Sequence, residues 1–113
     1  MTRTSTITRK LTLVFHEDSA HGWLAVPHRL LQQLGVAHRI SPYSYADADT
    51  AYLEEDEDQH IFLDAAEAAS WHVEFESSYV DGFSPIRGLP RYRQSRRWRR
   101  RRRDRSAHAR RSF

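Results

Sequence analysis

Between residues 7 and 16, Leu11, Leu13 and Phe15 alternate with Thr12, Val14 and His16. A period of two, rich in β-branched residues, predicts a strand. The polar stretch 17–22 should turn the chain, with Gly22 able to adopt a positive φ there. The apolar run 23–26 then returns as the second strand of a hairpin. Pro27 suits the first position of a helix, because its fixed φ is helical and its missing N–H would be unpaired anyway. Leu30, Leu31 and Leu34 fall on one face of that helix, and Arg29, Gln32 and Gln33 on the other. Gly35 is placed to end it in the left-handed conformation, with Val36 folding back onto Leu31.

Residues 37–50 read as a long connection around Pro42, with Ile40, Tyr43 and Tyr45 holding part of it down. A short strand over 51–53 follows, then five consecutive acids, Glu54, Glu55, Asp56, Glu57 and Asp58. Asp56 or Asp58 can cap the next helix, and Asp56 with Gln59 has capping-box spacing. That helix should cover about 57–69, since Ile61, Phe62, Ala65 and Ala69 share a face. Trp71, Val73 and Phe75 alternating with His72, Glu74 and Glu76 give a final strand. By this periodicity the aromatics Trp23, Tyr43, Tyr45, Tyr52, Phe62, Trp71 and Phe75 are mostly core, with one of Tyr43 and Tyr45 outside it. The order predicts an α+β fold: a small, mostly antiparallel sheet with two helices on one face.

Charge changes the picture after residue 86. Residues 87–113 hold 13 of the 18 basic residues and one acid, Asp104, a net of +12, while residues 1–86 carry −9. The chain therefore divides into an acidic domain, 1–86, and an Arg-rich tail, 87–113, expected to be disordered or extended. Such asymmetry points to partners rather than to a fold. The 113-residue chain has no cysteine, which excludes disulfide and Cys-zinc scaffolds. No apolar run reaches the length needed to span a bilayer, and MTRTSTITRK lacks an apolar signal core, so a cytoplasmic protein without membrane contact is expected.

The stretch HGWLAVPHRLLQQLGVAHRISPYSY, followed by YLEEDED and IFLDA, resembles a family of small uncharacterised bacterial proteins carried on phages, plasmids and other mobile elements. The similarity covers about residues 15–87, through Gly22, Trp23, Val26, Pro27, Leu34, Gly35, Ile40, Ser41, Tyr43, Ser44, Tyr45, Tyr52, Leu53, Glu54, Glu55, Asp56, Asp58 and Phe62. It implies a setting in which small accessory proteins act on host defence or DNA maintenance. It transfers no site residue, and the Arg tail lies outside it.

Arg96, Arg97, Arg99, Arg100, Arg101, Arg102 and Arg103 are the candidate phosphate contacts, since guanidinium groups match phosphate oxygens and release counterions on binding. Tyr92 and Trp98, both inside the basic stretch, are candidates to stack on unpaired bases. The expected function is non-enzymatic binding of nucleic acid or a nucleoprotein complex, with the domain supplying specificity and the tail affinity. The bland alternative is a codon-biased or solvated tail, folded back onto the acidic domain.

A second class of function uses the acids. Glu54, Glu55, Asp56, Glu57 and Asp58 would imitate a phosphate backbone and occupy a basic host protein, as an inhibitor of a defence system such as CRISPR. The bland counterpart is a helix N-terminus rich in acids. A third class, a metal-dependent enzyme, would use His16 and His21, although H-E-x-x-x-H is one residue longer than the metalloprotease spacing. With no nucleophile elbow, P-loop or dinucleotide fingerprint in the sequence, no catalytic residue, metal or cofactor is assigned. Oligomeric state is not legible.

Overall fold

A computed structural model describes residues 6–93. The five strands are β1 (Arg9–Glu17), β2 (Gly22–Pro27), β3 (Tyr45–Ala46), β4 (Thr50–Glu54) and β5 (Trp71–Tyr79). The two helices are α1 (His28–Gln33) and α2 (Gln59–Ala68), with 3-10 turns at Ala37–Arg39 and Pro85–Gly88. The strands form one mixed sheet in the order β3-β4-β2-β1-β5. Three neighbouring pairs are antiparallel, and β1 with β5 is parallel. The fold is α+β with a mostly antiparallel sheet.

Register decides which side chains share a face. Phe15 lies opposite Leu24, Leu24 opposite Leu53, and Leu11 beside Val73. Leu13, Leu24, Val26, Ala51 and Leu53 therefore point to one side. They join Leu30 and Leu31 of α1 and Phe62 and Ala66 of α2 in a single buried cluster. Burying one such side chain as fully as Phe62 contributes about 1.5–3 kcal/mol. Because β4 and β5 both run parallel to β1, the β4–α2–β5 connection carries α2 across this face.

The hairpin needs glycine at residue 22 for space rather than for a positive φ. A Cβ there would lie 2.4 Å from Cζ of the Phe15 ring, which covers that point of β2. At residue 35 the glycine does take φ 72°. Val36 N–H donates to Leu31 O and Gly35 N–H to Gln32 O, the two bonds of a Schellman cap. Pro27 differs from its expected place. It closes β2 opposite Thr50 with φ −55° and ψ 137°, so it precedes α1 rather than opening it.

The capping expectation for α2 also changes. Asp58 stands at the N-cap, but its carboxylate makes no cap bond. Glu54 instead accepts from Asp56 N–H and Glu57 N–H, closing the acidic turn from its start. Within α2 the residues that go under are Phe62 and Ala66, not Ala69.

Strand β5 is longer than its alternation implied and only half covered. Trp71 and Val73 pack under α2, but Phe75 and Tyr79 remain 48% and 62% exposed, because the helix does not reach that end of an edge strand. Phe75 is therefore not core. Tyr43, 61% exposed, is the tyrosine left outside, while Tyr45 is half-buried against Trp23.

After residue 86 the chain stays against the folded body as far as Tyr92. After β5 the chain runs back along the hairpin end of the sheet. There Arg87 binds Asp18 and its guanidinium lies 5.3 Å from the Trp23 ring centre. Beyond it, Tyr92 is buried in the main core at 2% exposure. No helix among the described residues is long and apolar enough to cross a membrane.

Candidate functional site

Where the basic arm leaves the folded body, sequence-distant residues are held in fixed positions. The chain from residue 84 to 92 is fastened at two points. The first is Asp18, in the β1–β2 turn. Its carboxylate accepts from Ala20 N–H and His21 N–H at 2.9 Å each and from Ser84 N–H at 2.9 Å. Arg87 adds Nε at 2.6 Å and Nη2 at 3.1 Å, a two-pronged bond that matches the carboxylate plane. The Arg87 guanidinium, opposed by burial and reinforced by these backbone donors, holds Asp18 well below the ordinary carboxylate range. It also lies 4.7 Å from the Phe83 ring centre, so the loop after β5 is tied down on both sides.

The second fastening is at the outer edge of β3. Ala46 N–H donates to Pro90 O at 2.9 Å, Tyr92 N–H donates to Ser44 O at 2.8 Å, and Arg91 bridges Tyr45 in antiparallel fashion. Residues 90–92 thus add a last rung to the sheet. The Tyr92 ring lies among core side chains, tilted 6.1 Å from His28, and its hydroxyl donates to Ala37 O at 2.6 Å. Burial, with the Asp58 charge nearby, pushes the Tyr92 phenol up to about 12. This corrects one sequence assignment. Tyr92 sits within the basic stretch, but its ring is unavailable to a base.

The turn that receives the arm is itself built on a buried carboxylate. Asp58 is 1% exposed. Its Oδ1 accepts from Ser41 N–H at 3.0 Å, and its Oδ2 from Ser41 Oγ at 2.8 Å and from the Ser44 hydroxyl. Ser44 Oγ in turn accepts from Glu54 N–H at 2.9 Å. Tyr43 N–H donates to Ser41 Oγ at 3.1 Å, and Ser44 N–H to Ser41 O at 3.2 Å. The Tyr43 side chain is left exposed, while the backbone N–H groups and serine hydroxyls of the 41–44 turn thereby have acceptors. Arg91 joins it from the other chain segment: Nη1 donates to Pro42 O at 3.3 Å, and Cζ lies 4.6 Å over the Tyr45 ring. Sequence reasoning missed this pairing of Tyr45 with Arg91, because 46 residues separate them.

The five acids do not act as one surface. Glu54 and Asp58 are buried and spend their oxygens on the chain's own N–H and O–H groups. Glu55, Asp56 and Glu57 are exposed. Partial burial, and then the neighbouring Asp56, Glu54 and Glu17 charges, raise the Glu55 carboxyl above its ordinary value.

His16 packs edge-on against Tyr52, 5.8 Å away, and burial lowers its pKa. His21 instead faces Glu54, with Nδ1 3.7 Å from Oε1. No group of three or more His, Asp or Glu placed to hold a metal ion occurs among the described residues.

Arg96, Arg97, Trp98, Arg99, Arg100, Arg101, Arg102 and Arg103 lie outside the described residues. What the described residues supply is their starting point, at the β3 edge beside the 41–44 turn. Comparison with protein-family models finds no match, and comparisons with curated proteins and with solved structures find none either.

Proposed function

We propose that this chain is a non-enzymatic binding protein that contacts nucleic acid, alone or within a nucleoprotein complex, through its Arg-rich C-terminal arm. The observation that carries the reading is the combination of charge and anchorage. Residues 6–93 hold 14 acids against 7 basic residues, whereas residues 94–113 hold ten arginines and one acid. The last residues before the arm are fastened by Asp18, by the β3 edge and by burial of Tyr92. An arm with that charge gains affinity by neutralising phosphates and releasing counterions. A fixed origin lets the folded body influence where the arm falls. The resemblance to mobile-element proteins supplies the setting, in which the partner is host or element nucleic acid and the compartment is the cytoplasm.

The test is binding of fluorescent oligonucleotides by the full chain over a range of salt. A second protein carries Gln in place of Arg96, Arg97 and Arg99 to Arg103. Wild type should bind with an affinity that falls steeply with salt. The variant should lose most of that affinity and most of the slope. Charge alone favours binding in a tube, so the same variant is also recovered from cells. Wild type that co-purifies with no nuclease-sensitive partner would overturn the proposal.

A second reading is favoured by the crowding around Glu55. The exposed acids Glu55, Asp56 and Glu57 concentrate negative charge on one turn, which suits a basic protein partner and a phosphate-mimicking inhibitor of host defence. Its test is narrower than the sequence suggested. Glu55, Asp56 and Glu57 are changed to Lys, and the buried Glu54 and Asp58 are kept, so that loss of a nuclease-resistant protein partner reports on the surface rather than on folding.

A further inference from the structure

We propose that the free edge of β5 is a docking site for an extended segment of a basic partner protein, which adds to the sheet as one more strand. The segment taken alternates apolar side chains with Lys or Arg. The site lies wholly within the folded body and does not depend on the arm.

The two edges of the sheet differ. The β3 edge is two residues long and is covered by residues 90–92 of the same chain. The β5 edge runs for nine residues, Trp71–Tyr79, and no described residue pairs along it. Neither proline nor lysine nor a bulge interrupts it, and these are devices that keep an edge from pairing. Along a paired strand, the backbone groups of alternate residues point to the same side. Val80 N–H donates to Glu17 O at 2.9 Å, so the even-numbered positions face β1. The N–H and C=O groups of Val73, Phe75, Ser77 and Tyr79 are therefore presented at the open edge.

The side chains add a pattern to this template. On the helix face, Phe75 and Tyr79 are 48% and 62% exposed, and the small Ser77 stands between them beside the half-buried Phe15. On the other face, Glu74 and Glu76 are exposed, and their neighbours in β1 are Thr12 and Val14, neither of them a cation. Glu74 meets His72 at 3.2 Å, and Glu76 has no ion-pair partner among the described residues. An added strand sets its own alternating side chains beside these. Its apolar residues then cover Phe75 and Tyr79, and its basic residues meet Glu74 and Glu76. Main-chain bonds supply the affinity, and this alternation supplies the choice of partner. Charge argues against a second copy of the chain in the same place. Residues 6–93 hold 14 acids against 7 basic residues, and two β5 strands paired antiparallel about Phe75 would set Glu74 opposite Glu76.

The experiment uses the full chain and a fluorescent peptide of about seven residues in which Lys and Val alternate, read by anisotropy and by amide NMR shifts. The peptide should bind and move the amide signals of Phe75, Ser77 and Tyr79. A peptide of the same composition, with its Lys and Val in separate blocks, should bind about tenfold more weakly or worse. The double variant Glu74→Lys with Glu76→Lys should show a loss of similar size. Ser77→Pro removes one outward N–H and leaves the bonds to β1, so it too should weaken binding. Melting confirms that each variant is folded, and the blocked peptide tests the edge on the unaltered protein. Changing Glu55, Asp56 and Glu57 to Lys should leave binding as it is, which separates the edge from the acidic turn. Failure of the alternating peptide to bind would overturn the proposal, and so would equal binding of the two peptides. Loss in the Glu55–Glu57 variant in place of the Glu74 and Glu76 variant would do the same. A dimer of the chain in sedimentation that Ser77→Pro dissolves would give the edge to a second copy instead. The Gln-substituted arm should leave peptide binding intact, so the arm reading and this inference can fail separately.

Discussion

Replacing Asp58 by Ala removes the acceptor on which the 41–44 turn is built. Three donors converge on that carboxylate: Ser41 N–H at 3.0 Å, Ser41 Oγ at 2.8 Å and the Ser44 hydroxyl. The hydroxyls can rotate toward other acceptors, but the Ser41 N–H cannot. Ser44 must also keep accepting from Glu54 N–H. A buried donor left without a partner costs about 1–3 kcal/mol, more where the lost acceptor was charged. With the cavity left by a 1% exposed side chain, Asp58→Ala should cost about 3–5 kcal/mol in all. At about 4–8 °C per kcal/mol for a body of this size, Tm should fall by about 12 °C or more. Asp58→Asn keeps the shape and one acceptor oxygen, so its loss should be about 1–2 kcal/mol. Asp56→Ala, two residues away and exposed, should stay within about 0.5 kcal/mol of wild type. Urea unfolding followed by tryptophan fluorescence reads all three. An Asp58→Ala protein within about 1 kcal/mol of wild type would refute the claim that this carboxylate holds the turn.

Three further outcomes follow from local geometry. Gly22→Ala places a Cβ 2.4 Å from the Phe15 ring, and urea unfolding should show a loss of about 1–3 kcal/mol; Gly22→Ala in a Phe15→Leu background should recover part of it. Ser70, between α2 and β5, has φ 62°, so Ser70→Gly should raise stability by about 0.5–1 kcal/mol, and an unchanged or lower Tm would count against strain there. Asp18 titrates far lower in the folded chain than in the unfolded one, so the unfolded state takes up its proton first as pH falls. Its stabilising contribution is complete above the unfolded value of about 4 and drains away below it. Asp18→Asn should therefore flatten the acid side of a stability–pH curve, and a curve that keeps its full slope would rule out Asp18 as a source.

By itself the sequence determined the elements whose signal is local. The alternation of Leu11, Leu13 and Phe15 marks β1, and Leu30, Leu31 and Gly35 mark α1 with its Schellman cap, because periodicity and a positive φ need only near neighbours. The α+β class follows from the order of those elements. The charge division after residue 86 is likewise read from composition, and the candidate arm rests on it.

Tertiary structure alone decided which polar residues belong to the interior. Asp58 and Glu54 read as surface acids beside Glu55, yet Asp58 is turned inward by Ser41 and Ser44, which approach from a different loop. Tyr92 reads as part of a basic stretch, yet its ring fills the core, because residues 90–92 pair along β3. Tyr43 and Tyr45 stand two residues apart, and Tyr45 is the half-buried one because Trp23 and Arg91 arrive on it from other segments. The parallel β1–β5 pairing and the uncovered end at Phe75 depend on where α2 crosses the sheet. In each case the deciding contact joins residues far apart in the chain. A preference that neighbours encode can be read directly. One set by a partner tens of residues away exists only once the chain has folded.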